Sequence, residues 1–372
     1  MTQHDLCTRG ATQPIVETAS ASYEVADLGS FHAVRINDRG IVVGYASIGN
    51  DVHGVLWDHD TTQDLGMLGN QPPGSAVFPL DMNERGQIVG YNSYGFNHVR
   101  GFLWDRGVMQ DLGDLQGNQN DFPSVIANAI SQSGQVVGES DASPSGRHAF
   151  LWQDGAMTDL GTLGGFRSAA FGVNNRGQVV GWSLTSSRAQ HAFLWDGGQM
   201  DDLGTIGGDA SIALLINEPG QVAGTGTTAA GETRAFFWSS GVIQDIGPFT
   251  PVAIGGHGSV AGNDDGRAFV WIGGELTPLG SLGGNWTVVS GMNNRGQVVG
   301  TSRTAAGEAH AFVWDDGVMS DLGALADAAA SSAVAINNNG AITGSTSAAS
   351  GETRALLWSK GSQPAETVVA SK

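Results

Sequence analysis

The sequence predicts an all-β chain, and three observations carry that prediction. The segment HAFLWDGGQMDDLGTIGG at 191–208 is rewritten as HAFLWQDGAMTDLGTLGG from His148 and HAFVWDDGVMSDLGAL from His310. Looser copies open at His53, Arg100, Arg234, Arg267 and Arg354. The apolar runs are short, rich in β-branched and aromatic residues and bounded by turn residues, with no helical period sustained for three turns. Eight tryptophans (Trp57, Trp104, Trp152, Trp195, Trp238, Trp271, Trp314 and Trp358) recur at intervals of 47, 48, 43, 43, 33, 43 and 44 residues. A unit of about 40–50 residues holding four strands is that of a propeller blade. Even the 33-residue interval has room for four short strands. The expectation is one eight-bladed β-propeller of four-stranded antiparallel blades over 22–370, preceded by a flexible polar tail over 1–21.

Within each copy the first strand ends in an Ile-Asn-like pair, as in Val34-Arg35-Ile36-Asn37, and enters a turn closed by Gly40. Equivalent turns close at Gly86, Gly134, Gly177, Gly220, Gly258, Gly296 and Gly340. Asn tolerates turn geometry and Gly supplies a positive φ at little steric cost. The second strand is of the Gln178–Gly181 type, and strand glycines such as Gly226 indicate close backbone approach. The third strand carries the Trp. The fourth follows a turn such as Asp196-Gly197-Gly198 and ends in Asp-Leu-Gly. Two segments compete for the outer position of the last blade, Ser22–Leu28 and 362–369. The N-terminal one is favoured, because its Asp-Leu-Gly matches the other copies and Pro364 weakens its rival.

Composition narrows the function classes. The formal charge is −19, with Lys360 and Lys372 the only lysines, so the surface repels phosphate backbones and nucleic acid is not an expected partner. No apolar run approaches the roughly 18 residues that cross a membrane, and the polar stretch 1–21 is not expected to act as an export signal. Cys7 is the single cysteine, which excludes an intrachain disulfide or a cysteine-based metal site. A cytoplasmic location is expected. No GxSxG elbow, P-loop, HExxH or dinucleotide fingerprint is present, and no cofactor or metal is expected. Asn263-Asp264-Asp265-Gly266 has calcium-like composition but lacks further oxygen ligands, and a tight turn is expected there.

HAFLW, DLGTLGG and NNRGQVVG together resemble the bacterial HAF-repeat family, over about 23–361. The resemblance implies a β-propeller. It implies no activity and no catalytic residues. Members are often extracellular with sorting signals, and this chain departs from that pattern.

Positions filled alike in eight copies serve the fold, since one site cannot need them eight times. That assigns the His or Arg opening each third strand, the Trp series and the Asp of Asp-Leu-Gly to construction. Candidate function lies where copies disagree. The residue after the second-strand glycine is Tyr45, Tyr91, Glu139 and Trp182 in the first four copies, then Thr225, Asn263, Thr301 and Ser345. In a meander this point lies at the mouth, so the site is expected near blades 1–4. The residue before the Ile-Asn-like pair is Arg35 in the first copy and Asp81 in the second, facing each other as site groups or as a structural ion pair.

Glu139, Asp81 and Arg35 are the candidate catalytic residues. Glu139 beside aromatics is expected to have a raised pKa suited to general acid or base work, against the alternative of a solvated loop acid. Tyr45, Tyr91, Trp182, His32, Tyr94, Asn128 and Trp286 are the candidate substrate-binding residues, with Phe96, His98 and Arg167 beside them at the rim. The expected function is binding of a small molecule, extending to cofactor-independent cyclisation, isomerisation or hydrolysis in bacterial specialised metabolism. The alternative is a non-catalytic scaffold that presents its mouth or rim to a protein or glycan.

Overall fold

The structure is a computed structural model that describes residues 23–69, 72–95, 98–116, 124–142, 146–325, 328, 330–347 and 351–361. The expected tail over 1–21 and the segment 362–369 lie outside these residues, as does Phe96. Among the described residues every regular element is a β-strand, and no helix is long and apolar enough to cross a membrane. Four-stranded antiparallel meanders, called blades below, follow one another over 32–64, 76–111, 125–159, 164–204, 211–247, 250–278 and 283–323. An eighth comprises Ser331–Ile336, Ile342–Ser347 and Thr353–Lys360. One parallel bridge, Val52 to Ala76, ties blade 1 to blade 2.

The outer position of blade 8 belongs to the N-terminal strand Tyr23–Gly29. It runs antiparallel to Thr353–Lys360, with Val25 opposite Trp358. Leu28 is buried there, and the Arg354 guanidinium donates to Asp27 at 2.9 Å.

The turn asparagine does more than tolerate its turn. Asn37 Oδ1 accepts the backbone N–H groups of Arg39 and Ile41, while its amide donates to Asn83 O in the next blade. Asn83 reaches Ser131 O, Asn174 reaches Asn217 O, Asn217 reaches Gly255 O, and Asn293 reaches Asn337 O. Asn337 then donates to Asn37 O at 2.8 Å, linking blade 8 to blade 1. Such buried amides satisfy both turn and neighbour, which is why this position resists substitution by an apolar residue.

Every inner strand shifts register near its end, and those of blades 4 and 7 shift a second time near their start, at Gly164/Ser168 and Gly283/Thr287. In blade 1 the shift falls between Ala33 and Arg35, in blade 2 between Pro79 and Asp81, and the other six match. These are β-bulges, which add a residue and bend the strand. Beside each bulge lies the second-strand glycine. A Cβ on Gly44 would sit 1.9 Å from His32 O, and one on Gly300 would sit 2.0 Å from Val288 O. The close approach at these eight glycines is therefore to the inner-strand carbonyl, whereas at Gly226 the nearest neighbour is the Ile206 side chain, at 3.1 Å.

Eight apolar clusters fill the spaces between successive blades. One of them joins Leu28, Trp57 and Ala355, packing blade 8 and its N-terminal strand against blade 1. Burial of each large apolar side chain contributes about 1.5–3 kcal/mol, so these seams hold the blades together.

The His or Arg opening each third strand pairs with the Asp of Asp-Leu-Gly eleven residues later in the same blade. Examples are His53 with Asp64 at 2.6 Å, His191 with Asp202 at 2.7 Å and Arg234 with Asp245 at 2.6 Å. The Asp also accepts the following Gly N–H, as Asp202 does from Gly204 at 2.8 Å. The partner is thus the blade's own outer strand. Blade 8 makes the same pair across its seam, between Arg354 and Asp27. Blade 6 departs: Pro278 stands where the Asp belongs, and Arg267 pairs with Asp264 instead.

Candidate functional site

Second strands end, third strands begin and blade-to-blade connections arrive at one common face, the mouth. Tyr45 and Tyr91 lie three residues before the ends of the second strands Val42–Ile48 and Ile88–Tyr94. Across the ladder they face His32 and Phe78 on the inner strands. The rings form an unbroken row. His32 stacks on Tyr45 at 4.9 Å, Tyr45 meets Phe78 edge-on at 5.4 Å, and Phe78 meets Tyr91 at 5.3 Å. Aromatic contacts of this kind contribute about 0.5–1.5 kcal/mol each beyond burial and hold the rings in place. Burial, and after it the neighbouring Tyr45, push the Tyr91 hydroxyl above its ordinary pKa, so it stays a neutral donor and acceptor.

Phe78 escaped the sequence reading. Its register opposite Tyr91 would have revealed it, but that register follows only once the bulge between Pro79 and Asp81 is known.

Deeper along the same two inner strands, Arg35 Nε lies 3.6 Å from Asp81 Oδ1, as their matched positions suggested. Asp81 Oδ2 also accepts the backbone N–H of Ile130 at 3.0 Å, so one carboxyl links three consecutive blades. Asp81 is partly buried, with 24% of its side chain exposed, and desolvation raises its pKa despite Arg35 and the N–H groups of Ile130 and Met82. A carboxyl so placed holds its proton to higher pH than a solvated one and suits proton transfer. The Arg35 side chain keeps 48% of its exposure, which leaves its guanidinium accessible to an anionic group.

The remaining sequence candidates are dispersed. Glu139 is not free in the mouth: Arg147 Nη1 donates to it at 2.9 Å, and Arg147 also binds Asp141 and Ser124. Asn128 is the bulged residue of blade 3, and its amide donates to Ala170 O in blade 4 at 2.8 Å. Tyr94 stacks on His98 at 4.6 Å, where the second strand of blade 2 turns into the third. Trp182 occupies the matching mouth position of blade 4, opposite Ala169 and Ala192. Trp286 lies far from the tyrosines in sequence order, on the inner strand Gly283–Met292 of blade 7. Among the described residues no three His, Cys, Asp or Glu side chains gather into a metal-binding group.

Two cavities stand out. One of about 330 Å³ is walled by inner-strand residues of five blades, among them Arg35, Leu215, Ile254, Met292 and Val334. These strands therefore surround a common channel, and Arg35 projects into it. The other, about 410 Å³, lies between blades 6 and 7 against Arg267, Phe269, Pro278 and Trp286.

No family profile and no curated protein matches the chain in sequence. Solved structures are similar in fold. Dipeptidyl peptidase 4 of Porphyromonas gingivalis superposes with a TM-score of 0.55 at 11% identity, over 89% of this chain and 58% of that one. A prolyl endopeptidase gives 0.55 at 10% identity, over 92% and 55%. A Mycobacterium tuberculosis puromycin-hydrolyzing peptidase gives 0.52 at 13% identity, over 90% and 60%. The chain spans less than two thirds of the length of each. At these identities the likeness speaks for architecture alone. The chain has the fold of a β-propeller.

Proposed function

We propose that the protein is a small-molecule-binding propeller whose eight blades close into one ring, with its site at the mouth of blades 1 and 2 and in the channel below. Closure is supported by the Asn337–Asn37 hydrogen bond, by the apolar cluster between blades 8 and 1, and by the N-terminal strand at the edge of blade 8. The single observation that carries the site is the continuous ring row His32–Tyr45–Phe78–Tyr91 above Asp81 and Arg35. Aromatic faces and a few convergent polar groups in a concave place are what small ligands select. The tyrosine faces receive a planar or cationic portion of the ligand, in keeping with the net charge of −19. Arg35 orients an acidic group, and Asp81 takes and returns a proton in cofactor-free acid–base chemistry of the cyclisation, isomerisation or hydrolysis type. Glu139, held by Arg147, anchors the loop of blade 3 in this reading. Membership of the HAF-repeat family and a cytoplasmic location go with it.

The test is native mass spectrometry of the purified protein after equilibration with a bacterial metabolite extract. Wild type retains a discrete small-molecule mass, and the Tyr45→Ala/Tyr91→Ala variant loses it while still folding cooperatively, at a lower unfolding temperature. An identical set of retained masses in both proteins refutes the site.

A further inference from the structure

The cleft between blades 6 and 7 arises from two departures of blade 6 from the repeat. The first is at the outer strand Glu275–Pro278. Six blades hold the third-strand His or Arg against an Asp eleven residues later, and blade 8 holds Arg354 against Asp27 across its seam. Pro278 offers no such acceptor, so Arg267 turns to the mouth. There it pairs with Asp264 and lies over the Phe269 ring, 5.7 Å from its centroid. The second departure is the loop between second and third strands. Only nine positions separate Gly262 from Trp271, against 13 or 14 between the equivalent Gly and Trp of every other copy, and only Asp265 and Gly266 lie between Val260–Asp264 and Arg267–Ile272. Asp265 and Gly266 both have positive φ, the geometry of a tight hairpin turn.

The short turn leaves the neighbouring blade uncovered. Trp286 packs its indole edge over Gly266, where a Cβ would meet the ring at 2.4 Å, yet it remains 36% exposed. Thr287 N–H donates to Gly266 O at 2.8 Å and pins this strand to the turn. The cleft of about 410 Å³ thus has Trp286 on one side, Pro278 and Phe269 on the other, and Arg267 at its edge.

We infer that this cleft is a second binding site, for a neutral saccharide ring bearing vicinal hydroxyls. Three features select that chemistry. Trp286 and Pro278 present rigid apolar faces suited to the C–H face of a pyranose, and few polar groups are needed to orient it. Arg267 lines the cleft and its partner Asp264 stands beside it at the rim, so donor-only and acceptor-only groups lie side by side at the edge. Vicinal hydroxyls answer both, because each donates and accepts. A neutral ligand also leaves that ion pair intact, whereas an anion would have to displace Asp264 and approach a chain of net charge −19. The site is separate from the mouth of blades 1 and 2 and stands or falls independently of it.

The experiment titrates the full chain with glucose, galactose, mannose, N-acetylglucosamine, cellobiose and chitobiose, reading ligand-detected saturation transfer and tryptophan fluorescence. Benzoate serves as the planar anion for comparison. At least one sugar binds wild type, and Trp286→Ala weakens it by roughly tenfold or more, as loss of a central aromatic anchor does. Pro278→Asp restores the repeat's own acceptor, draws Arg267 out of the cleft, and weakens the same sugar severalfold without loss of fold. Tyr45→Ala/Tyr91→Ala leaves it unchanged. The inference is overturned if no sugar binds, if sugar binding survives both cleft variants, or if benzoate alone binds through Arg267.

Discussion

The second-strand glycines give the sharpest structural prediction. In Gly300→Ala the new methyl would lie 2.0 Å from Val288 O, 2.9 Å from its carbon and 3.0 Å from the Phe312 ring. That leaves the carbonyl more than an ångström inside ordinary contact, and Phe312 is fully buried and cannot yield. Overpacking alone costs about 1–3 kcal/mol. Moving the strand by that distance also lengthens adjacent ladder hydrogen bonds, each worth about 0.5–1.5 kcal/mol net. The expected loss is about 3–5 kcal/mol. The comparator is Gly296→Ala, where nothing lies within 4 Å and only the φ of +86° is unfavourable. Its cost is about 1–2 kcal/mol. Urea unfolding followed by tryptophan fluorescence separates the two, with Gly300→Ala at least about 1 kcal/mol the weaker of the pair. Equal midpoints, or a wild-type midpoint for Gly300→Ala, would refute the bulge as the reason for this glycine.

Two further predictions follow. Deleting residues 1–29 removes the ladder to Thr353–Lys360, the burial of Leu28 and the Asp27–Arg354 pair. The expected cost is at least about 3 kcal/mol from the apolar and hydrogen-bond contributions, seen as a clearly lower unfolding temperature; an unchanged transition contradicts closure by this strand. Asp81 has a folded pKa raised above its unfolded value by burial, so the native state holds the proton more tightly. Its ionisation therefore subtracts stability as pH rises from the unfolded pKa through the folded one, and the subtraction is complete above that. Asp81→Asn should remove this dependence and make the variant relatively more stable at neutral pH than at pH 4. A wild-type pH slope in the variant contradicts the assignment.

How far the chain was legible depends on what repeats. Trp spacing and turn chemistry announced blades, because a four-stranded meander must reuse the same core and turn residues to stack on its neighbour. The Arg35–Asp81 pairing also followed from matched positions in adjacent copies. What repeats only in backbone was invisible: the eight bulges carry Val34, Leu80, Asn128, Phe171 and other unlike side chains, so no residue type marks them. That hid Phe78, and it hid the hydrogen bond that takes Asn128 to Ala170 O. Glu139 was legible as a departure from the pattern, but not its partner Arg147, which lies across the loop. Arg267 was grouped with the other His and Arg residues that open third strands. The substitution of Pro278 for the expected Asp, visible in the sequence, was the overlooked signal that separates it from them.

The central claim is that the mouth of blades 1 and 2 receives the ligand. Hydrogen–deuterium exchange of the protein with and without the small molecule recovered from the extract tests it most directly. The account predicts the largest slowing in the segments spanning 32–48 and 76–94, with the outer strands of blades 3 to 8 little changed. Protection confined to other blades, with these two segments exchanging as in the free protein, would contradict it.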